Sequence, residues 1–254
     1  MGLFKFSRKK ETGEDFEKLY ASNRSFQPAR TKCADGRYVS AEELYDFIAG
    51  FLLESLESND FKNLKSKKIL KRTTQTGSDE ISISFVDHVH YHANFIFNKR
   101  IDNLQKNITT IQFENGFNTI NNYKEHHTVS ATYRNIANDD IEIVSYSVLK
   151  AKLTKVLTVI ENEILPYFDK LNSADFLNQT LNYPEKDNKN PFSFFALRGF
   201  ENSIINGLII AKNLNDPNLD RLFCNHIARH PQNLSLKGKL TKLKESFEHK
   251  KIET

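Results

Sequence analysis

The chain has no tryptophan, one methionine at position 1, and two cysteines, Cys33 and Cys224. Two distant thiols without a C-x-x-C spacing exclude a disulfide framework and a zinc-knuckle pattern, and they fit a reducing compartment, so a cytoplasmic location is expected. Long apolar runs are missing too. The strongest one, around SIINGLIIAKNL, is too short and too interrupted to span a bilayer. The opening MGLFKFSRKK puts its basic residues after a very short apolar patch, which is not a secretory signal. It also fails the myristoylation pattern, because Phe6 stands where serine or threonine is needed and Ser7 comes one residue late. No G-x-S-x-G elbow, P-loop or G-x-G-x-x-G fingerprint occurs, which removes the common nucleophile and nucleotide frames. Nor is there a large excess of one charge. With 36 Lys and Arg against 32 Asp and Glu, the formal charge is +4, so any affinity for nucleic acid must come from local clustering.

What is present suits a soluble globular chain. The 254 residues are 39% hydrophobic, with 20 Phe and 9 Tyr, so a sizeable core resting on Phe, Ile and Leu is expected. Residues 1–39 mix charge, Gly, Ser and Pro without sustained periodicity and read as a partly ordered N-terminal arm. Residues 40–230 read as the core domain and 231–254 as a C-terminal helical tail. Ser40, with Glu43 three residues on, predicts a capping box ahead of AEELYDFIAGFLLESLES, where Leu44, Phe47, Ile48, Phe51, Leu52 and Leu56 recur at helical spacing.

The clearest strand pattern is ISISFVDHVHYHANFIFNKR, long enough to require a bend or hairpin. Its odd positions from Ile81 to Phe97 are largely apolar, while Ser82, Ser84, Val86, His88, His90, His92, Asn94, Ile96 and Asn98 alternate with them. One apolar and one polar face belong to an antiparallel sheet whose second face is solvated or lines a groove. Further strands are expected at NITTIQFEN, HHTVSATYRN and DIEIVSYS. Helices follow: one with Leu149, Leu153, Val156, Leu157, Ile160, Ile164 and Leu165 in a stripe that Pro166 should end or kink, one capped by Ser173, and others over FSFFALRGFENSIINGLIIAKNL, DPNLDRLFCNHIARH and LKGKLTKLKESFEHKK. Strands ahead of helices predict an α+β fold, an antiparallel sheet of about four strands against a mainly helical C-terminal half.

The helix ending in ILPYFDKL with a short capped helix after it, and the later apolar helix ending in AKNLNDPNL, resemble small bacterial α+β domains of unknown function associated with polymorphic-toxin and immunity loci. The resemblance covers roughly residues 41–225. It implies a non-enzymatic binding protein, an immunity protein that neutralises a toxin by occlusion, and it transfers no site residues because the matching stretches are structural.

Three side-chain groups are candidates for function. His88, His90 and His92 share one strand face about 7 Å apart per step, so adjacent pairs could reach one zinc ion. His126, read as facing the same way on a neighbouring strand, could complete a metal site with His88 and His90, which would serve a metal-dependent hydrolase or nuclease. The run FKNLKSKKILKR, with Lys67, Lys68 and Arg72, could hold phosphates or meet an acidic protein. Aromatic interleaving beyond Phe61 is missing from it, so single-strand stacking is not supported. Cys224, His226 and His230 lie close in sequence, but without the glutamate of a metalloprotease helix. Together these favour a protein-binding module whose contacts are His88, His90 and His92, with Lys67, Lys68 and Arg72 as a basic edge. A histidine-centred metalloenzyme and a nucleic-acid-binding accessory protein are the alternatives.

Overall fold

The computed structural model describes residues 40–87, 91–143, 146–184 and 190–249. The first helix, α1 (Ala41–Leu56), starts as its sequence predicts: Ser40 Oγ accepts from the Glu43 N–H at 3.2 Å, and the Ser40 N–H donates to Glu43 Oε2 at 2.9 Å. The reciprocal bonds satisfy main-chain donors that have no partner inside the helix. Leu44, Tyr45, Ile48, Ala49, Leu52 and Leu56 are buried.

The basic run after α1 forms two strands, β1 (Lys62–Leu64) and β2 (Ile69–Thr73), joined through a tight turn at Lys65–Lys67 with Lys68 at φ 53°. Their pattern is hidden because β1 is wholly exposed and Leu70 is the one fully buried position of β2. Lysines along such an edge discourage pairing with other chains. The expected hairpin follows as β3 (Gly77–Asp87) and β4 (Tyr91–Ile101). Their register runs unbroken from Asp87↔Tyr91 to Gly77↔Ile101, always pairing odd with odd and even with even, so the two faces written from the sequence hold on both strands. Gly77 is required by close approach, since a Cβ there would stand 2.0 Å from the Arg100 carbonyl oxygen.

NITTIQFEN is helical. It belongs to α2 (Asp102–Glu114), which buries Gln105, Ile108, Thr109 and Gln112 at three- and four-residue spacing. Its β-branched residues imitate a strand, and tertiary packing overrides that propensity. Then come β5 (Val129–Thr132), α3 (Tyr133–Ala137) and β6 (Ile141–Ile143). Both short strands pair with the same edge of β4, so among the described residues the sheet has six antiparallel strands, where about four were expected, in the order β1-β2-β3-β4-β5 with β6 also on β4.

The helical half holds α4 (Tyr146–Val159), α5 (Leu165–Lys170), α6 (Ala174–Asn182), α7 (Phe194–Leu197), α8 (Glu201–Asn213), α9 (Leu219–Arg229) and α10 (Leu234–His249). A π turn at Ile160–Ile164 joins α4 to α5, so the irregularity comes just ahead of Pro166 and carries the chain past a residue with no N–H to donate. Ser173 caps α6 as expected. The single helix expected from Phe192 is broken by Gly199, at φ +80°, where a Cβ would lie 2.7 Å from the His230 ring. The expected tail is integral to the core: Leu236, Leu240, Leu243 and Phe247 of α10 are buried in the same cluster as the sheet residues. The arm expected over residues 1–39 lies outside the described residues. Among the described residues no helix is long and apolar enough to cross a membrane. The protein is an α+β fold with its sheet in the N-terminal half and its helices mainly C-terminal.

Candidate functional site

One face of the sheet belongs to the core. Leu70, Ile81, Ile83, Ala93, Phe95, Phe97, Val129 and Ala131 are buried on it. At its far end this face turns ionic. Lys99, with its side chain fully buried, places Nζ 2.7 Å from Asp79 Oδ1, and Arg72 reaches Asp79 Oδ2 at 2.7 Å and Asp169 Oδ1 at 3.1 Å. Three adjacent strands supply this triad through the pairs Arg72↔Asp79 and Asp79↔Lys99. Arg72 is therefore not part of an exposed basic edge. Its strand parity, the same as that of Leu70, turns it inward.

The opposite, polar face is divided. Ser78, Glu80, Asn98 and Arg100 are buried, whereas Ser84 and Val86 are exposed and Ser82, His92, Asn94, Ile96 and Thr132 half-buried. In the covered part, Arg100 donates to the Lys124 carbonyl at 3.0 Å, Ser130 to Asn98 Oδ1 at 2.6 Å, and Asn98 to Ser82 Oγ at 3.2 Å. Lys71 donates to Glu80 Oε1 at 2.6 Å, and His127 Nε2 stands 3.9 Å from Glu80 Oε2. Burial by itself would raise the Glu80 carboxyl, but the Lys71 hydrogen bond and the charges of His127, Lys71 and Arg100 outweigh it and hold that group below its ordinary range. His127 is pushed down, chiefly by burial, against the opposing pull of Glu80.

Of the expected contact residues, His92 lies on the open part, across from Val86 on β3 and Glu142 on β6. His88 and His90 lie outside the described residues. Lys67 is exposed in the β1–β2 turn, and Lys68, whose carbonyl accepts from the Ile83 N–H at 3.0 Å, carries its Nζ to 6.0 Å from the centre of the Phe85 ring, on the apolar side of the sheet and away from His92. His126 does not lie on β5. It precedes the strand, its Nε2 2.9 Å from Asn118 Nδ2 and 3.3 Å from the Ile120 carbonyl. The Thr128 N–H two residues on is held by the Lys99 carbonyl, seven positions along β4 from His92, or roughly 24 Å. His92 and His126 thus occupy opposite ends of the sheet and share no site. Among the described residues no group of three His, Cys, Asp or Glu side chains is placed to hold a metal.

The sequence reading missed the ionic end of the sheet. Its trace is the charged doublets Lys71-Arg72, Asp79-Glu80 and Lys99-Arg100, each next to an apolar alternation that would otherwise continue. A second missed group joins the helices. Asn182 Nδ2 donates to Asn178 Oδ1 at 2.7 Å and to the Gly207 carbonyl at 2.6 Å, and Asn178 donates to Asp216 Oδ2 at 2.7 Å. His226 Nε2 lies 3.4 Å from Asn182 Oδ1. Burial, assisted by Arg229 and His230, lowers the His226 imidazole to about 4, so it is neutral at pH 7 and serves this polar chain. No protein-family model, curated protein or solved structure matches the chain.

Proposed function

We propose that the protein is a non-enzymatic protein-binding module, an immunity protein that neutralises a toxin by occluding its working surface. The observation that carries this reading is the divided polar face: one part is sealed by a hydrogen-bonded network, while Ser84 and Val86 are exposed and His92, Asn94 and Ile96 half-buried on two strands that pair with each other in unbroken register. Such a platform offers hydroxyl, amide and imidazole groups around the exposed Val86, a mixture suited to a protein interface with an apolar centre and polar rim. Lys67, exposed in the β1–β2 turn, would steer an acidic partner, while Lys68 lies toward Phe85 on the other side of the sheet and Arg72 is withdrawn from that role.

The test is retention on the immobilised protein. One specific polypeptide from the source cells should bind at moderate salt, and Val86→Asp should weaken binding at least tenfold without lowering the melting temperature. Retention indifferent to Val86→Asp would refute the reading. So would a stoichiometric metal whose removal abolishes a hydrolytic activity.

A further inference from the structure

At one end of the helical half the start of α8, the end of α9 and the start of α10 come together. The Glu201 carboxylate, in the first turn of α8, accepts from Lys239 Nζ at 2.5 Å and is hydrogen-bonded by the side chains of Asn233 and Ser235, the two neighbours of Leu234. On the other side of Phe200, Gly199 lies so close to the end of α9 that a Cβ would stand 2.7 Å from the His230 ring. Phe200 and Leu234 are thereby held near one another, each at the entry to a helix. A helical side chain leans toward its N-terminus, so Leu234 leans toward the open end of α10.

These two are the most exposed large apolar side chains among the described residues, Phe200 at 53% and Leu234 at 76%. Half-buried Phe195 backs Phe200 with ring centres 4.8 Å apart, and Phe194 follows at 5.8 Å, so the exposed ring is the tip of a packed aromatic row. Cations surround the tip. Arg198, its guanidinium 5.4 Å from the centre of the Phe194 ring, is exposed, as are Arg229 and Lys237, and none of the three has a carboxylate partner among the described residues. Glu201 is matched by Lys239, so these three positive charges stand uncompensated.

We propose that this end of the helical half docks on an anionic lipid surface. Phe200 and Leu234 enter the boundary of the acyl chains, while Arg198, Arg229 and Lys237 meet the phosphate headgroups. Apolar tips carried on two separate turns insert into a fluid phase without a shaped counterpart, and the cationic surround matches the charge of the headgroups. Two side chains and three cations make the attachment peripheral and reversible. None of these residues lies on the sheet, so the proposal does not depend on the reading of its open face.

The experiment uses the full-length protein and its lack of tryptophan. Phe200→Trp puts a single indole at the tip, and Phe113→Trp on α2, at a position 45% exposed, is the control. With vesicles of equal parts phosphatidylcholine and phosphatidylglycerol, emission from Phe200→Trp should move to shorter wavelength and become shielded from acrylamide, while that from Phe113→Trp stays unchanged. Adding Leu234→Ser should weaken binding about tenfold. Arg198→Gln and Arg229→Gln should each cost about fivefold, and vesicles of phosphatidylcholine alone should bind far more weakly. The unmodified protein should sediment with the mixed vesicles and be released by raised salt, a readout that stands even if a variant does not fold. Failure to sediment overturns the proposal. Vesicle binding that leaves the Phe200→Trp emission unchanged also overturns it, since another part of the chain then makes the contact. So does an emission shift that follows protein concentration without lipid, which would make this end an interface between copies of the chain.

Discussion

Asp79→Asn leaves two cations facing a neutral amide at the closed end of the sheet. Asp79 and Lys99 are fully buried, with Nζ and Oδ1 2.7 Å apart, and Arg72, 15% exposed, shares the same carboxylate. Arg72 keeps a second carboxylate in Asp169, which is 71% exposed. For Lys99 the loss is of its buried countercharge, and breaking such a pair from one side costs about 3–5 kcal/mol, because the remaining charge keeps its desolvation penalty. For a folded unit of this size that cost lowers Tm by roughly 6–20 °C. Replacing both partners with apolar residues of similar volume, Asp79→Leu with Lys99→Met, removes the orphaned charge and should recover most of the loss. Thermal and urea unfolding of the wild type, Asp79→Leu, Lys99→Met and the double variant close a mutant cycle, with Asp79→Asn measured beside them. A loss below about 1 kcal/mol for Asp79→Asn, or a double variant no more stable than the single ones, would show that the triad is not the ionic anchor its geometry describes.

Two further outcomes follow from burial in the helical half. His226 has an imidazole pKa lowered to about 4 in the fold, against an ordinary value near 6.5, so between these values the unfolded chain binds more protons. Its contribution to stability is therefore complete above about pH 6.5 and is lost as pH falls toward 4, by roughly 3 kcal/mol; His226→Leu should flatten that part of the stability curve, and an unchanged slope in urea titrations would refute the assignment. Leu243 of α10 is fully buried in the common core, so Leu243→Ala should cost about 2–5 kcal/mol in denaturant unfolding, whereas a detached tail would give a value near zero.

Local patterns carried much of the fold. The Ser40 box, the α1 stripe and the Ser173 cap could be read directly because each depends on residues three or four apart. The alternation over Ile81–Asp87 and Tyr91–Phe97 assigned both sheet faces correctly, because Asp87 and Tyr91 pair with like parity. Reading failed where local preference and tertiary demand disagreed. The Lys-rich β1 and β2 lack alternation, since an exposed edge has one face to bury at most, and the β-branched residues of α2 looked like a strand until packing buried Ile108 and Gln112 on one side of a helix.

For the candidate site the division is sharper. The sequence by itself determined an α+β chain with one polar sheet face bearing His92, and it marked Lys67 and Lys68 as a basic turn. The tertiary structure alone decided that Arg72 and Lys99 are spent on Asp79, that His126 lies far from His92, and that one part of the polar face is sealed. The physical reason is range. Periodicity and capping are set by neighbours along the chain, while which charge meets which carboxylate, and which strand ends early, depends on partners brought together from distant segments.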